Sequence, residues 1–395
     1  MGRNSPCQQP EAALLPTERH RRPPAVAVCF LLVAALAAAP VVALPTTPTA
    51  SESGAALYSA ACAACHGTEG RGAPAGRLAF EEEVPDFTDC RFASREPDAD
   101  WIAVAHQGGP VRAFARMMPA FGEALTTAEL ERIIDHVRTF CTDGRWPRGE
   151  LNLPRPLVTE KAYPEDEAVF STTVATEGPG EVVNEIVYEK RFGPRDQLEV
   201  VVPFGWLETN ATGSRAEDGW NGGFADVAIG WKRALHHSLE KGRIFSATAE
   251  VVLPTGDEEA GLGSGEVVFE PFLTFGKIFA TDAFLHLQAG GEIPFDDEAP
   301  DEAFVRAALG RSFTEGRWGR TWSPMVEVLS KRELTSGESV DWDAVPQLQV
   351  TLNRRQHVMI NLGVRIPLDE RDERQTQVLL YLLWDWFDGG FFDGW

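Results

Sequence analysis

Beyond its first forty residues the chain has no apolar run able to cross a bilayer as a helix. Even Val378 to Trp384 holds only seven residues, where a span needs about 20. That absence excludes a helical membrane protein. Positive charge is also scarce: 36 Lys and Arg stand against 59 Asp and Glu, a net charge of −23 over 395 residues. Such a balance argues against nucleic acid or an anionic lipid surface as partner. Cysteine is sparse, and the CxxC pair at Cys62 has neither a second such pair nor a βαβ setting around it, which a zinc knuckle or a redox loop would want. With 44% hydrophobic and 24% charged residues, the chain suits two or three domains with buried cores, not disorder.

The amino-terminal run reads as an address. Arg19, Arg21 and Arg22 precede an apolar stretch of fifteen residues, Ala25 to Ala39, which ends in Pro40-Val41-Val42-Ala43. These are the charged, apolar and small-residue regions of a signal peptide, expected over 1–43 with cleavage after Ala43. Its four Arg and two Glu carry +2, so the exported chain is at −25. Cys7 and Cys29 leave with it. Of the four cysteines kept, Cys90 and Cys141 lie in an oxidising compartment within one small domain, and a disulfide between them is expected.

The other two stand in Cys62-Ala63-Ala64-Cys65-His66. Two thiols two residues apart can close thioethers onto the two vinyls of a haem, while the next residue offers an imidazole to the iron. One covalent haem c is expected, held by Cys62, Cys65 and His66. A Pro/Thr/Ser linker, 44–53, leads into a helical segment, 54–146. There Thr126-Thr127-Ala128-Glu129 forms a capping box, followed by Leu130, Ile133, Ile134, Val137 and Phe140 at helical spacing. The first and last helices are expected to cross. Between them Gly70, Gly72, Pro74 and Gly76 provide the turns of backbone wrapping a flat macrocycle.

Cys62 to His66, Pro85-Asp86-Phe87-Thr88, Gly108-Gly109 and Met118-Pro119-Ala120-Phe121-Gly122, followed by an amphipathic helix, resemble a class I monohaem cytochrome c. The resemblance implies a small all-α domain and makes Met118 the sixth iron ligand, a soft thioether that favours Fe(II). Met117 and His106 are the competing ligands. Residues Ala113 to Arg116 add bulk between the glycine pair and the methionine, so the motif alone does not secure the loop.

Residues 147–166 are rich in proline and charge and read as a linker. From there to 395 the period changes from 3.6 to 2, over about twelve segments of roughly ten residues, the length a tilted strand needs to cross a bilayer. Leu198, Val200, Val202, Phe204 and Trp206 share one face, and Gln197, Glu199 and Gly205 the other. Long acidic connections alternate with tight turns, as in an antiparallel transmembrane β-barrel. A secreted β-domain is the competing reading. Glu185, Glu189, Glu199, Asp226, Glu250, Glu266, Glu270, Arg306 and Arg365 fall on the inward face and predict a polar, mostly acidic lumen. The barrel loosely resembles the outer-membrane transporter-like family of phenol-degradation pathways, and the whole arrangement resembles fused cytochrome–porins. Trp395, with Phe391 and Phe392 nearby, resembles the aromatic carboxyl end of exported outer-membrane proteins.

The expected function is haem c electron transfer by a protein anchored in, or conducting across, the outer membrane. The alternatives are a channel with a cytochrome redox sensor or plug, and a barrel-anchored periplasmic carrier. Expected partners are a periplasmic or extracellular electron donor or acceptor and membrane lipid. Electron transfer is expected rather than a defined catalytic turnover, with an extracellular oxidoreductase left open. A globule of about 95 residues is roughly 30 Å wide and cannot enter a twelve-strand lumen. The haem domain is therefore expected at the periplasmic mouth. It holds 16 acidic and 10 basic residues over 44–150 and is expected to meet basic turns at Arg317, Arg320, Arg354 and Arg355.

Overall fold

The computed structural model describes residues 52–78, 84–209, 219–258, 260–296, 299–371, 374–387 and 389–395. The expected signal peptide, all but the end of the first linker, and most of the long connection after residue 209 lie outside the described residues.

The first folded part is helical: α1 (Gly54–Ala61), α2 (Ala63–His66), α3 (Cys90–Ala93), α4 (Asp98–Gln107) and α5 (Thr127–Arg138). Ser53 caps α1, its Oγ accepting from the Ala56 amide at 3.2 Å. At α5 the capping box forms, with Thr126 Oγ1 accepting from Glu129 N and Glu129 Oε2 accepting from Thr126 N. Leu130, Ile133 and Val137 of α5 pack with Leu57 and Tyr58 of α1, Phe87 and Ala105 into one buried core. The helices meet closely at Gly54, where a Cβ would lie 2.0 Å from the Arg132 carbonyl oxygen, so only glycine permits the crossing. Cys62 separates α1 from α2, taking φ −113° between them.

Cys90 and Cys141 are joined by a disulfide across a sequence separation of 51. The bond ties the start of α3 to the chain just beyond α5. Closing such a loop stabilises by about 4 kcal/mol in the chain-entropy picture. The double variant C90A/C141A is expected to lower the melting temperature of the helical domain. Two free thiols in the wild type after non-reducing alkylation would refute the bond.

The rest is one closed antiparallel sheet. Its strands are β1 (Glu167–Ala175), β2 (Glu181–Phe192), β3 (Asp196–Thr209), β4 (Gly219–Phe224), β5 (Val227–Ser238), β6 (Arg243–Leu253) and β7 (Val268–Ile278). They continue as β8 (Ala283–Pro294), β9 (Glu302–Arg311), β10 (Phe313–Thr314), β11 (Thr321–Glu333), β12 (Asp341–Thr351), β13 (Val358–Pro367) and β14 (Gln377–Asp385). Both β4 and β5 pair with β3, and both β9 and β10 with β11, so each couple makes one crossing and the barrel has twelve. Closure comes from β1 pairing with β14, Glu167 opposite Asp385.

Burial is inverted relative to a soluble protein. Trp206, Leu309, Val326 and Leu362 are 46–59% exposed on the outside, while Glu189, Gln197, Ser246, Glu327 and Asn361 are fully buried inside. An apolar belt on a closed barrel is stable only against lipid, because water would penalise the exposed apolar surface. The competing soluble β-domain is thereby excluded.

Residues 147–166 connect the two parts but are not the solvated linker that their charge predicted. The segment runs through the tight-turn end of the lumen as a strap whose side chains and amides bond to the inner face on all sides. Tyr381 Oη of β14 donates to Arg155 O at 2.7 Å, Gln288 Oε1 of β8 accepts from Glu160 N at 3.0 Å, and Gln197 Oε1 of β3 accepts from Glu165 N at 2.7 Å. A charged segment reads as solvated when its counter-charges lie far away in sequence.

Candidate haem site and barrel lumen

The CxxCH motif folds into one tight turn. Cys62 O accepts from Cys65 N at 3.2 Å and from His66 N at 3.0 Å, so both thiols and the imidazole leave the same turn. Gly67, at φ 73°, reverses the chain after it. Tyr58 Oη, buried beneath, donates to Gly67 O at 2.7 Å and clamps the end of the motif to α1. Burial, with Cys62 nearby, pushes this hydroxyl up to about 12, so it remains a donor at every working pH. The variant Y58F is expected to cost about 1 kcal/mol, the net value of one hydrogen bond, read as a lower unfolding midpoint of the helical domain. An unchanged midpoint would deny the clamp its role.

Burial lowers the His66 imidazole to about 4, so it is neutral with a lone pair free near neutral pH. Its Nδ1 is buried without a hydrogen-bond partner, and its ring stacks on Phe87 at 4.8 Å. Burial, and then Cys65, raise the Cys62 thiol to about 11.

Met118 packs against the buried core that also contacts Cys62, and Phe87 belongs to that core. Met117 is 45% exposed. His106 lies against Gly122 and the barrel: a Cβ at Gly122 would meet its ring at 2.4 Å, and the ring lies 5.8 Å from Trp318. The glycine pair holds the methionine backbone directly, with Gly109 N donating to Met118 O at 3.0 Å. A Cβ on Gly108 would reach 3.0 Å from that same oxygen. The extra bulk of residues 113–116 is pushed outward, with Phe114, Ala115 and Arg116 exposed.

At the seam with the barrel, Arg95 forms a buried ion pair with Asp166, and His357 Nε2 lies 3.1 Å from Glu96 Oε1. Arg317 Nη2 donates to Thr127 Oγ1 at 2.8 Å and Arg355 Nη2 to Ala113 O at 3.4 Å. Arg317 thus reaches a hydroxyl, Arg355 a carbonyl and His357 a carboxylate of the helical part, and at Arg95–Asp166 the helical part supplies the cation.

The lumen holds a cavity of about 470 Å³ beyond the strap, lined by Glu185, Glu199, Asp226, Glu250, Glu270, Arg306 and Arg365 among others. Seven of the nine inward charges predicted from alternation are therefore there. Glu189 is instead covered by the strap, paired with Arg155 at 2.7 Å. Reading strands alone missed Glu327. Its carboxylate, fully buried on β11, accepts from the amides of Leu157, Val158 and Thr159 at 2.9, 3.1 and 2.6 Å, and from Thr159 Oγ1 at 2.5 Å. Nothing local to β11 signals this, because its partners lie about 170 positions earlier in the chain.

Residues 49–137 match the family described as "Cytochrome C oxidase, cbb3-type, subunit III", and residues 169–322 match the one described as "Putative MetA-pathway of phenol degradation". The chain is a cytochrome c-type domain followed by a porin-like outer-membrane β-barrel, and the first of these implies haem. Among solved structures it is similar to the COG4313 outer membrane channel from Pseudomonas putida F1, at 13% identity and a TM-score of 0.41, covering 58% of this chain and 99% of that one. It is also similar to the KdgM porin, at 10% identity and a TM-score of 0.37, covering 55% and 98%. No curated protein matches the chain.

Proposed function

We propose that this protein is an electron carrier held at the periplasmic face of the outer membrane by its barrel, with one haem c attached through Cys62 and Cys65 and ligated by His66 and Met118. The residues fit such a group: two thiols and a neutral imidazole with an orphaned buried nitrogen share one turn, and a thioether packs on the same core. When bound, the haem supplies one-electron exchange between Fe(III) and Fe(II). His66 and Met118 would ligate the iron, the core of α1 and α5 would exclude water, and Tyr58 would keep the motif turn in place.

One observation carries the choice of an anchor over a conduit: the strap joins the cytochrome part to the barrel by running through the lumen. In outer-membrane barrels the tight turns face the periplasm, so the cytochrome part, seated at that end, faces periplasmic donors and acceptors. The partner is then a small periplasmic redox carrier. Liposomes carrying the purified protein test this with a reductant that cannot cross lipid. Haem reduction is expected only when the reductant is on the tight-turn side. Equally fast reduction from the long-loop side would establish transmembrane flow and defeat the anchor.

A further inference from the structure

The loop that carries Met118 is walled on one side by its own domain and on the other by the barrel. Inside the domain it is tied at its feet, with Phe121 N donating to Ala105 O and Gly122 N to His106 O, both at 3.0 Å. Its outer bow has no such ties to the helices except Arg112, whose Nε donates to Asp100 Oδ1 of α4 at 2.7 Å. The same guanidinium continues outward: Arg112 Nη1 donates to the Trp318 carbonyl of the turn between β10 and β11 at 2.8 Å. One residue on, Ala113 takes the left-handed φ of 57°, strained for a residue with a Cβ. Its carbonyl accepts from Arg355 Nη2 at 3.4 Å, and a Cβ on Gly394 would come within 3.0 Å of the Ala113 Cβ. The Arg355 guanidinium also lies 4.7 Å from the Phe114 ring centre.

From this geometry we infer that the barrel's periplasmic turns, through Trp318 and Arg355, are positioning elements for the sixth ligand and raise the reduction potential of the haem. The inference rests on the Met118 ligation proposed above. A neutral thioether prefers Fe(II), and its bond lasts only as long as the loop keeps the sulfur in place. Each tie that narrows the loop's freedom reduces the entropy lost on ligation. Losing the outer ties frees the bow between Pro110 and Met117, and the sulfur leaves Fe(III) more readily than Fe(II). The potential then falls.

The test uses the full-length holoprotein with R355A, and with R355K to retain the charge; the Trp318 tie is a backbone carbonyl that side-chain replacement leaves in place. The change is on the barrel, and heat-modifiable gel mobility reports its folding. In the wild type the sulfur-to-iron absorption band in the red is expected. R355A is expected to weaken that band, to bind added imidazole about tenfold more tightly, and to lower the potential by about 59 mV, the one-electron equivalent of tenfold. R355K should restore most of the band and the imidazole resistance. A potential that falls while the band and imidazole affinity stay at wild-type values would reflect lost charge alone and overturn the bracing. Unchanged values in all three readouts would overturn it too. If R355A fails to fold, R355Q, read by imidazole affinity, decides on the same terms. A wild type without the band would instead remove the Met118 ligation, and the inference with it.

Discussion

Replacing Met118 by alanine is expected to abolish the sulfur-to-iron absorption band and to lower the reduction potential by a sizeable part of the roughly 0.8 V that axial ligands span in haem proteins. The expectation rests on three placements. Met118 is the methionine packed on the core with Cys62, Met117 is exposed, and His106 is turned against Gly122 and Trp318. The haem should stay attached, because the two thioethers do not involve residue 118. M117A and H106A should leave the band in place. Survival of the band in M118A, or its disappearance in either control, would transfer the ligand role.

Replacing Glu327 by alanine is expected to open the lumen. Three strap donors, the amides of Val158 and Thr159 and the Thr159 hydroxyl, lose their acceptor at once, while the Leu157 amide keeps Gln347 Oε1 at 3.0 Å. A buried donor left unpaired costs about 1–3 kcal/mol, so the strap loses the position that these bonds define. The barrel should persist, because its ladder closes through β1 and β14 without the strap. Planar bilayers give the readout: little current through wild type, and a step to larger single-channel current in E327A. Passage should favour cations, given Glu185, Glu199, Asp226, Glu250 and Glu270 against Arg306 and Arg365 on the cavity wall. A folded E327A barrel with wild-type current would show that the latch does not hold the lumen closed.

These two predictions differ in how far the sequence alone could have supplied them. Cys62, Cys65 and His66 are legible because thioether chemistry fixes their spacing, and the spacing survives any fold. The twelve crossings are legible because lipid on one side and lumen on the other impose a period of two on each strand. The α5 capping box is legible because all its bonds fall within four residues. Met118 is only half legible: the motif nominates it, but its neighbour Met117 has the same chemistry, and the side that each faces depends on how the loop folds against α4 and α5.

The strap was not legible. Arg155, Glu160, Lys161, Glu165 and Asp166 have the composition of a solvated linker, and sequence gives no sign of what surrounds them. In the structure Arg155 pairs with Glu167 and Glu189, each at 2.7 Å, and Lys161 pairs with Glu165 at 2.7 Å. Asp166 takes Arg95 from the far side of the seam. What the sequence determined by itself is chemistry and periodicity, which depend on residues close together in the chain: a haem-binding turn, helices before, strands after. What only the tertiary structure decided is which charges are buried together, because desolvation makes an ion pair depend on neighbours that closure of the barrel brings from β2, β8, β11 and β14 to the same few ångströms.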